Sequence, residues 1–473
     1  MLLTFVIIYM AVTFAVGMLS GRLVKNSGDF VMAGRKLPLF FNAADLFALW
    51  FGSETIFGAS SAFSEDGLRG VIEDPFGASL CLILIGWIYI RRLYRMNLFT
   101  LGDLFRVKFG KQAELVSGIF MLFTFFGYIA AQFIALGLIL TKVAAVSGVF
   151  IGSTEAIWIC AAIVILYTMT GGMWAVSITD FIQSILIVTG LIAAVIFLLE
   201  ITGGFHVVMA SAPADTFTFF PEKDTGSILQ WIGAWLVIGL GYIPSQDVFQ
   251  RANAARNERA AVRSMYIGAG LYFVIAMIPL FITLCARVIA PDADFSDGQA
   301  IVINTILEHT PSWVQILFCG ALLSAVLSTC SGSILAPASI LAVNIIKPVS
   351  RRVYSDRQMT ILLRLSVVLI AGVSLGISMM RNNIYELVGE SAIIGMVSLL
   401  VPLTAGLYMQ RPSPRGALFS MWFGIIVYVL FTYVWTLEVI PTFIPATLAS
   451  VFGLYLGKAT EQEDVARADD LSA

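Results

Sequence analysis

Charge is the first thing this sequence is short of. Lys, Arg, Asp and Glu make up 12% of its 473 residues, roughly half of what a soluble globular chain carries. A chain so poor in charge cannot cover a water-facing surface, which excludes a soluble fold. Histidine is scarcer still: only His206 and His309 are present, both read as loop residues remote from any cysteine. Cysteine is limited to Cys81, Cys160, Cys285, Cys319 and Cys330, each inside an apolar run, where a thiol serves as a small buried hydrophobe rather than a disulfide partner or metal ligand. No His/Cys/Asp metal cluster, nucleophile motif or phosphate-binding glycine loop appears, which excludes an intramembrane enzyme. The net charge of −2 and basic residues scattered through short loops leave no patch for nucleic acid.

What the sequence has instead is apolar length. Hydrophobic residues reach 59% with a mean hydropathy of +0.91, and a membrane-crossing helix needs about 20 such residues. By that measure helices are expected at 2–20, 38–62, 75–93, 115–142, 156–170, 172–200, 228–247, 264–290, 312–346, 358–380, 384–409, 415–436 and 439–457. The first has no basic residue ahead of it and is long enough to span, so it reads as a retained helix rather than a signal peptide. The loops agree with this count. One alternating set holds 22 Lys and Arg, Arg251 among them, while the opposite set holds five beside acids such as Glu65, Glu73, Asp74, Asp292, Asp294 and Asp297. Because cytoplasmic loops keep the basic excess, the N-terminus is expected outside and the tail in the cytoplasm, in a cell membrane. Residues 94–112 are amphipathic, as an interfacial helix is, and the polar tail 458–473 is expected to be without structure.

Two spans break the apolar rule. Asp45–Gly58 carries Glu54 and Gly52 between apolar flanks, and an ionisable residue within a bilayer marks a substrate or ion path. A mid-span glycine is read as a helix break, tolerated where protein or a cavity takes the freed carbonyls. The run at 228–251 is interrupted in turn by Gly241, Pro244, Gln246 and Asp247. Interrupted spans at matching places in two halves are the sequence sign of a transporter site. If each opens a five-helix unit, the units cover 38–200 and 228–409, are inverted relative to each other, and leave one helix before and two after, at 415–457. Asp180 lies in an apolar helix as a capped carboxylate, a cation ligand or a proton carrier. The hydroxyl-rich run from Ser324 to Ser333 serves close helix packing or, near freed carbonyls, replaces the hydration shell of a small cation. Glu54 is placed either to pair with an amine or to bond within its own break.

The combination of GGMWAVSITDFIQ at 171–183, LSTCSGS at 327–333 and IPSQDVFQR at 243–251 resembles the sodium/solute symporter family. The likeness runs from Gly34 to about Arg415. It implies an all-α membrane protein of about 13 transmembrane helices, with the 5+5 inverted repeat of the leucine-transporter-like fold. It implies a Na+ site made by the carbonyls of Ala48, Phe51 and Ala325 and the hydroxyls of Ser328 and Thr329. A second Na+ in some members is held by the equivalents of Asp180, Thr329 and Ser331, with a serine where this chain has Gly332. Motif spacing is nearest the choline-transporter branch, where aromatic rings cage a quaternary ammonium. Trp50 and Tyr128 are kept near cage positions, and Ser245 stands where that branch has tryptophan. Solute contacts are therefore expected from Trp50, Ser53, Glu54, Tyr128, Gln132, Ser245, Gln246 and Asp247.

The expected function is Na+-coupled symport of a small polar solute by alternating access. The solute class, whether amine, amino acid, sugar or organic acid, stays open. The alternatives are a proton-coupled transporter of the same fold, using Asp180 or Glu54 as carrier, and a transporter-like membrane sensor. The sensor would need an output domain that the short tail does not supply.

Overall fold

The computed structural model describes residues 1–291, 298–435, 437 and 440–472; the outer-loop acids Asp292, Asp294 and Asp297 lie outside them. In chain order the main helices are α1 (Leu2–Leu23), α2 (Leu39–Trp50), α3 (Ala59–Asp66), α4 (Ile72–Arg95) and α5 (Leu101–Phe109). Then come α6 (Lys111–Val146), α7 (Ser153–Thr202), α8 (Thr225–Gly241), α9 (Gln246–Ala254) and α10 (Glu258–Ile289). The last are α11 (Ser312–Ser350), α12 (Asp356–Ser378), α13 (Ile384–Tyr408), α14 (Pro414–Tyr433) and α15 (Phe443–Ser472). No strand forms among the described residues, only a lone bridge between Leu37 and Ala255.

Among the described residues nine helices are long and apolar enough to cross a membrane, ten if α8 and α9, bent by 49° across their break, count as one span. The sequence predicts thirteen. The expected helices 156–170 and 172–200 are both present: the helical run Ser153–Thr202, α7, is broken where Gly172 leaves the helical region with φ +53° and ψ −152°. A side chain there would meet both the strain of that conformation and the Phe30 carbonyl, 2.7 Å from an added Cβ. The expected span 38–62 is cut by its own break, so that α2 has only 12 residues. The tail does not fall away: α15 continues through the expected unstructured region to Ser472. His206 and His309 sit in short helices, Phe205–Ala210 and Ile301–His309, rather than in loops.

Burial sets the layout. In α11, 83% of the apolar window is buried, against 28% in α1 and 33% in α14, so α11 runs through the centre and the terminal helices form the periphery. Small residues let the helices close without a hydrophobic drive between them. A Cβ at Gly241 would lie 2.5 Å from the Ala392 carbonyl and one at Gly395 2.5 Å from the Gly241 carbonyl, so α8 and α13 touch backbone to backbone. The amphipathic stretch at 94–112 forms α5, capped by a reciprocal Thr100–Asp103 box, with Leu101, Leu104 and Phe105 buried and Arg106 exposed.

Candidate functional site

The helix that begins as α2 stops at Phe51, whose φ −86° and ψ 80° leave the helical region. The Gly52 N–H turns to the Trp50 carbonyl at 3.1 Å instead of to Ala48, four residues back. Ala48 therefore has a carbonyl without its helical partner, and the Thr329 hydroxyl of α11 donates to it at 3.1 Å. Gly52 is needed for this approach, because a Cβ there would lie 2.9 Å from both Thr329 Oγ1 and Glu54 Oε2. The break of α2 and the hydroxyl run of α11 are thus in contact. Ala325 stands one turn before Thr329, fully buried. Ser328, also fully buried and beside Asp180, has a hydroxyl with no hydrogen-bond partner, and Asp180 Oδ1 has none either.

Arg251 supplies what the sequence reading missed. Counted there as a loop cation, it is in fact 1% exposed and holds two buried carboxylates, Asp45 through Nε at 2.6 Å and Asp180 through Nη2 at 3.2 Å. Ser177 donates to the other Asp45 oxygen at 2.7 Å. The residues expected for a second Na+ have other partners: Asp180 is bound to Arg251, and Ser331 donates to the Ser328 carbonyl at 3.0 Å. Gly332 faces this guanidinium, and a Cβ on it would stand 2.3 Å from Nη2 and 2.9 Å from Nη1. A free arginine would swing aside, but one pinned by two carboxylates gives little. Gly332→Ala is accordingly expected to destabilise the protein by about 1–3 kcal/mol, the usual cost of overpacking. A thermal melt in detergent checks this, and a wild-type midpoint would show that the guanidinium has room to move.

On the other side of the α2 break lies a small cavity of about 10 Å³, room for about one water molecule. Trp50, Tyr128, Tyr242 and Tyr272 line it; Trp50 meets Tyr242 and Tyr272 edge-on, with ring centroids 5.7 and 6.3 Å apart. Its acids are Glu54, Asp74 and Asp247. Three donors converge on Glu54: the Tyr128 hydroxyl and the Gln132 amide, each at 3.0 Å, and the Ser53 hydroxyl at 3.4 Å. Asp74 accepts from Tyr272 and, at 3.0 Å, from Thr55. Asp247 accepts from Ser245 and from the Val248 N–H at 2.7 Å.

Of the expected solute contacts, Trp50, Glu54, Tyr128 and Asp247 line this cavity, while Ser53, Gln132 and Ser245 stand behind it as donors to its acids. Gln246 is turned away, accepting the Leu101 N–H at 2.7 Å where α5 begins. Asp74, assigned to an outer loop by sequence, is fully buried. Its neighbour Glu73 lines a much larger vestibule with Glu65, Asp66 and Arg69, so the two adjacent acids mark the wall between the vestibule and the cavity. Tyr272 carries no sequence signal, being one aromatic in an apolar helix.

Residues 30–424 match the model of the Sodium:solute symporter family. Curated relatives include the high-affinity choline transporter of Caenorhabditis elegans, 24% identical over 453 residues, covering 89% of this chain and 76% of the relative. The high-affinity proline transporter of Bacillus subtilis is 26% identical over 475 residues, covering 94% and 96%. Among solved structures, a Na+-coupled sialic acid symporter in a substrate-bound outward-open state superposes with a TM-score of 0.82 at 19% identity, covering 97% of this chain and 96% of that one. A nucleobase-cation-symport-1 family transporter in a closed conformation superposes at 0.59 and 16% identity, covering 93% and 96%. At such identities the structural likeness establishes the fold alone.

Proposed function

The chain belongs to the sodium:solute symporter family, and on that premise we propose that Na+ binds at the contact of the α2 break with α11 and drives uptake of a small polar organic solute into the adjoining cavity. The observation that supports this reading is the Ser328 hydroxyl, fully buried without a hydrogen-bond partner and next in the chain to Thr329, which reaches the freed Ala48 carbonyl. A buried polar atom without a partner is costly, and a small cation with oxygen ligands removes that cost. Ala48, Phe51, Ala325, Ser328 and Thr329 form the ion site in this reading. Arg251 already occupies the carboxylate that a second Na+ would use, which favours one ion per cycle.

Two inverted five-helix units, 38–200 and 228–409, would move against each other about this site, with the N-terminus outside and the tail cytoplasmic. Na+ that joins α2 to α11 favours the arrangement in which both are in place, and a ligand shifts such an equilibrium only by its differential affinity. Raising Na+ against K+ at constant ionic strength is therefore expected to raise the melting temperature of the purified protein along a saturating curve. At 100 times the dissociation constant the gain is about 2.7 kcal/mol. Identical melts in Na+ and K+, with stabilisation by acid pH instead, would move the assignment to the proton-coupled alternative.

A further inference from the structure

The break in α2 frees backbone donors as well as acceptors. In an unbroken helix the Gly52 N–H would return to Ala48 and the Ser53 N–H to Leu49. Here Gly52 turns to Trp50 at 3.1 Å, and the Ser53 N–H is taken at 3.1 Å by Gln132 Oε1 of α6. The other end of the same amide, Nε2, donates to Glu54 Oε2 at 3.0 Å. Tyr128, one turn earlier on α6, donates to the second Glu54 oxygen at 3.0 Å. Gln132 is fully buried, and both ends of its amide are spent on the two residues that follow Gly52, one through backbone and one through side chain. The adjoining cavity has room for about one water, so in this arrangement protein groups alone keep α2 broken.

What the break holds open is the Ala48 carbonyl. A helix that healed would return the Gly52 N–H to it, in direct competition with Thr329 and with any cation. Gly52 is also where the two sides of the break meet: a Cβ there would lie 2.9 Å from Thr329 Oγ1 and 2.9 Å from Glu54 Oε2, the oxygen that Gln132 holds. We propose that Gln132 is a positioning residue of the Na+ site, whose amide keeps α2 broken and the Ala48 carbonyl available without touching the ion. Only the broken form presents that carbonyl, so the apparent ion affinity falls with the fraction of molecules in which the break is formed. Gln132 thus serves the ion before any solute arrives, and through Glu54, which lines the cavity, it joins the two sites.

The proposal rests on Na+ binding where α2 meets α11, and one solute-free experiment separates the two. The purified full-length protein is melted along a series in which NaCl replaces KCl at constant ionic strength. Gln132→Met removes both amide bonds at similar volume, and is expected to raise the Na+ concentration for half-maximal stabilisation about three- to tenfold. Ser264→Ala is the comparison, because it removes an equally buried bond near the other end of α2, the one Asn42 donates at 2.7 Å. It is expected to lower the melting temperature and leave the sodium curve in place. Gln132→Glu keeps an acceptor for the Ser53 N–H but sets a second carboxyl against Glu54, and should also shift the curve. Adding Glu54→Gln restores an amide–carboxylate pair and should bring the curve back. These exchanges keep side-chain volume, so they decide the matter should Gln132→Met fail to fold. Sodium curves unchanged in Gln132→Met and Gln132→Glu, whatever their melting temperatures, overturn the proposal and leave Gln132 to packing or to the solute. An equal shift in Ser264→Ala overturns it too, since any loosening of α2 would then have the same effect. A shift in Gln132→Met with none in Thr329→Ala removes the ion from the contact of α2 with α11, and the proposal with it. An unaltered protein that melts alike in both salts removes the sodium reading itself.

Discussion

Arg251→Met is expected to cost about 3–5 kcal/mol, the price of leaving buried charges without their partner, and to collapse the yield of folded protein. The guanidinium extends from α9, just past the second helix break, and grips Asp45 on α2 and Asp180 on α7. It thus ties both broken spans to a third helix at the level of the ion site. All three side chains are at most 1% exposed, so water cannot replace the lost pairings. The neutral triple variant Arg251→Met, Asp45→Asn, Asp180→Asn should recover much of the loss, since removing all the charges of a buried network is far milder than removing one. Arg251→Lys keeps the charge but not the planar fork that reaches two carboxylates at once, and should fall between. Melting temperature and the monodisperse fraction in detergent read all three. An Arg251→Met protein that melts like wild type would show that the carboxylates find other partners.

The same arginine shows where sequence reading ends. Glu54, Gly52 and the interrupted run near Gly241 were visible because an acid, a glycine or a proline inside an apolar span breaks a one-dimensional rule. Such signals located both helix breaks and with them Glu54 and Asp247; Trp50 and Tyr128 came from the family resemblance, and the structure places all four at one cavity. Arg251 and Asp74 obeyed the rule of the loop beside them, so their burial was invisible until α9 and the start of α4 were seen folding back into the bundle. Gly332 was legible only as a departure from the family pattern; its reason, the guanidinium pressed against it, is three-dimensional. The helix count blurred for the same cause. The break of α7 at Gly172 falls where the sequence divides 156–170 from 172–200, whereas α2 ends at its own break after 12 residues and is too short to count as a span.

Ser328→Ala and Thr329→Ala are expected to raise the Na+ concentration for half-maximal stabilisation by about tenfold or more, which corresponds to about 1.4 kcal/mol of lost ion affinity. The two variants should differ in everything else. Ser328 is fully buried with an unpaired hydroxyl, so in the absence of Na+ its removal is near neutral or stabilising, because an unsatisfied polar group is lost. Thr329 bridges α11 to the Ala48 carbonyl, so Thr329→Ala also gives up about 1 kcal/mol of sodium-free stability with that hydrogen bond. A serine kept only for helix packing would show the opposite of the Ser328 result, with lower stability and an unchanged sodium curve. Reciprocity adds a second readout: whatever factor the mutation takes from Na+ through the shared equilibrium must appear in solute affinity when Na+ is not saturating, and disappear when it is. Sodium curves unchanged in both variants would remove the ion from the contact between α2 and α11.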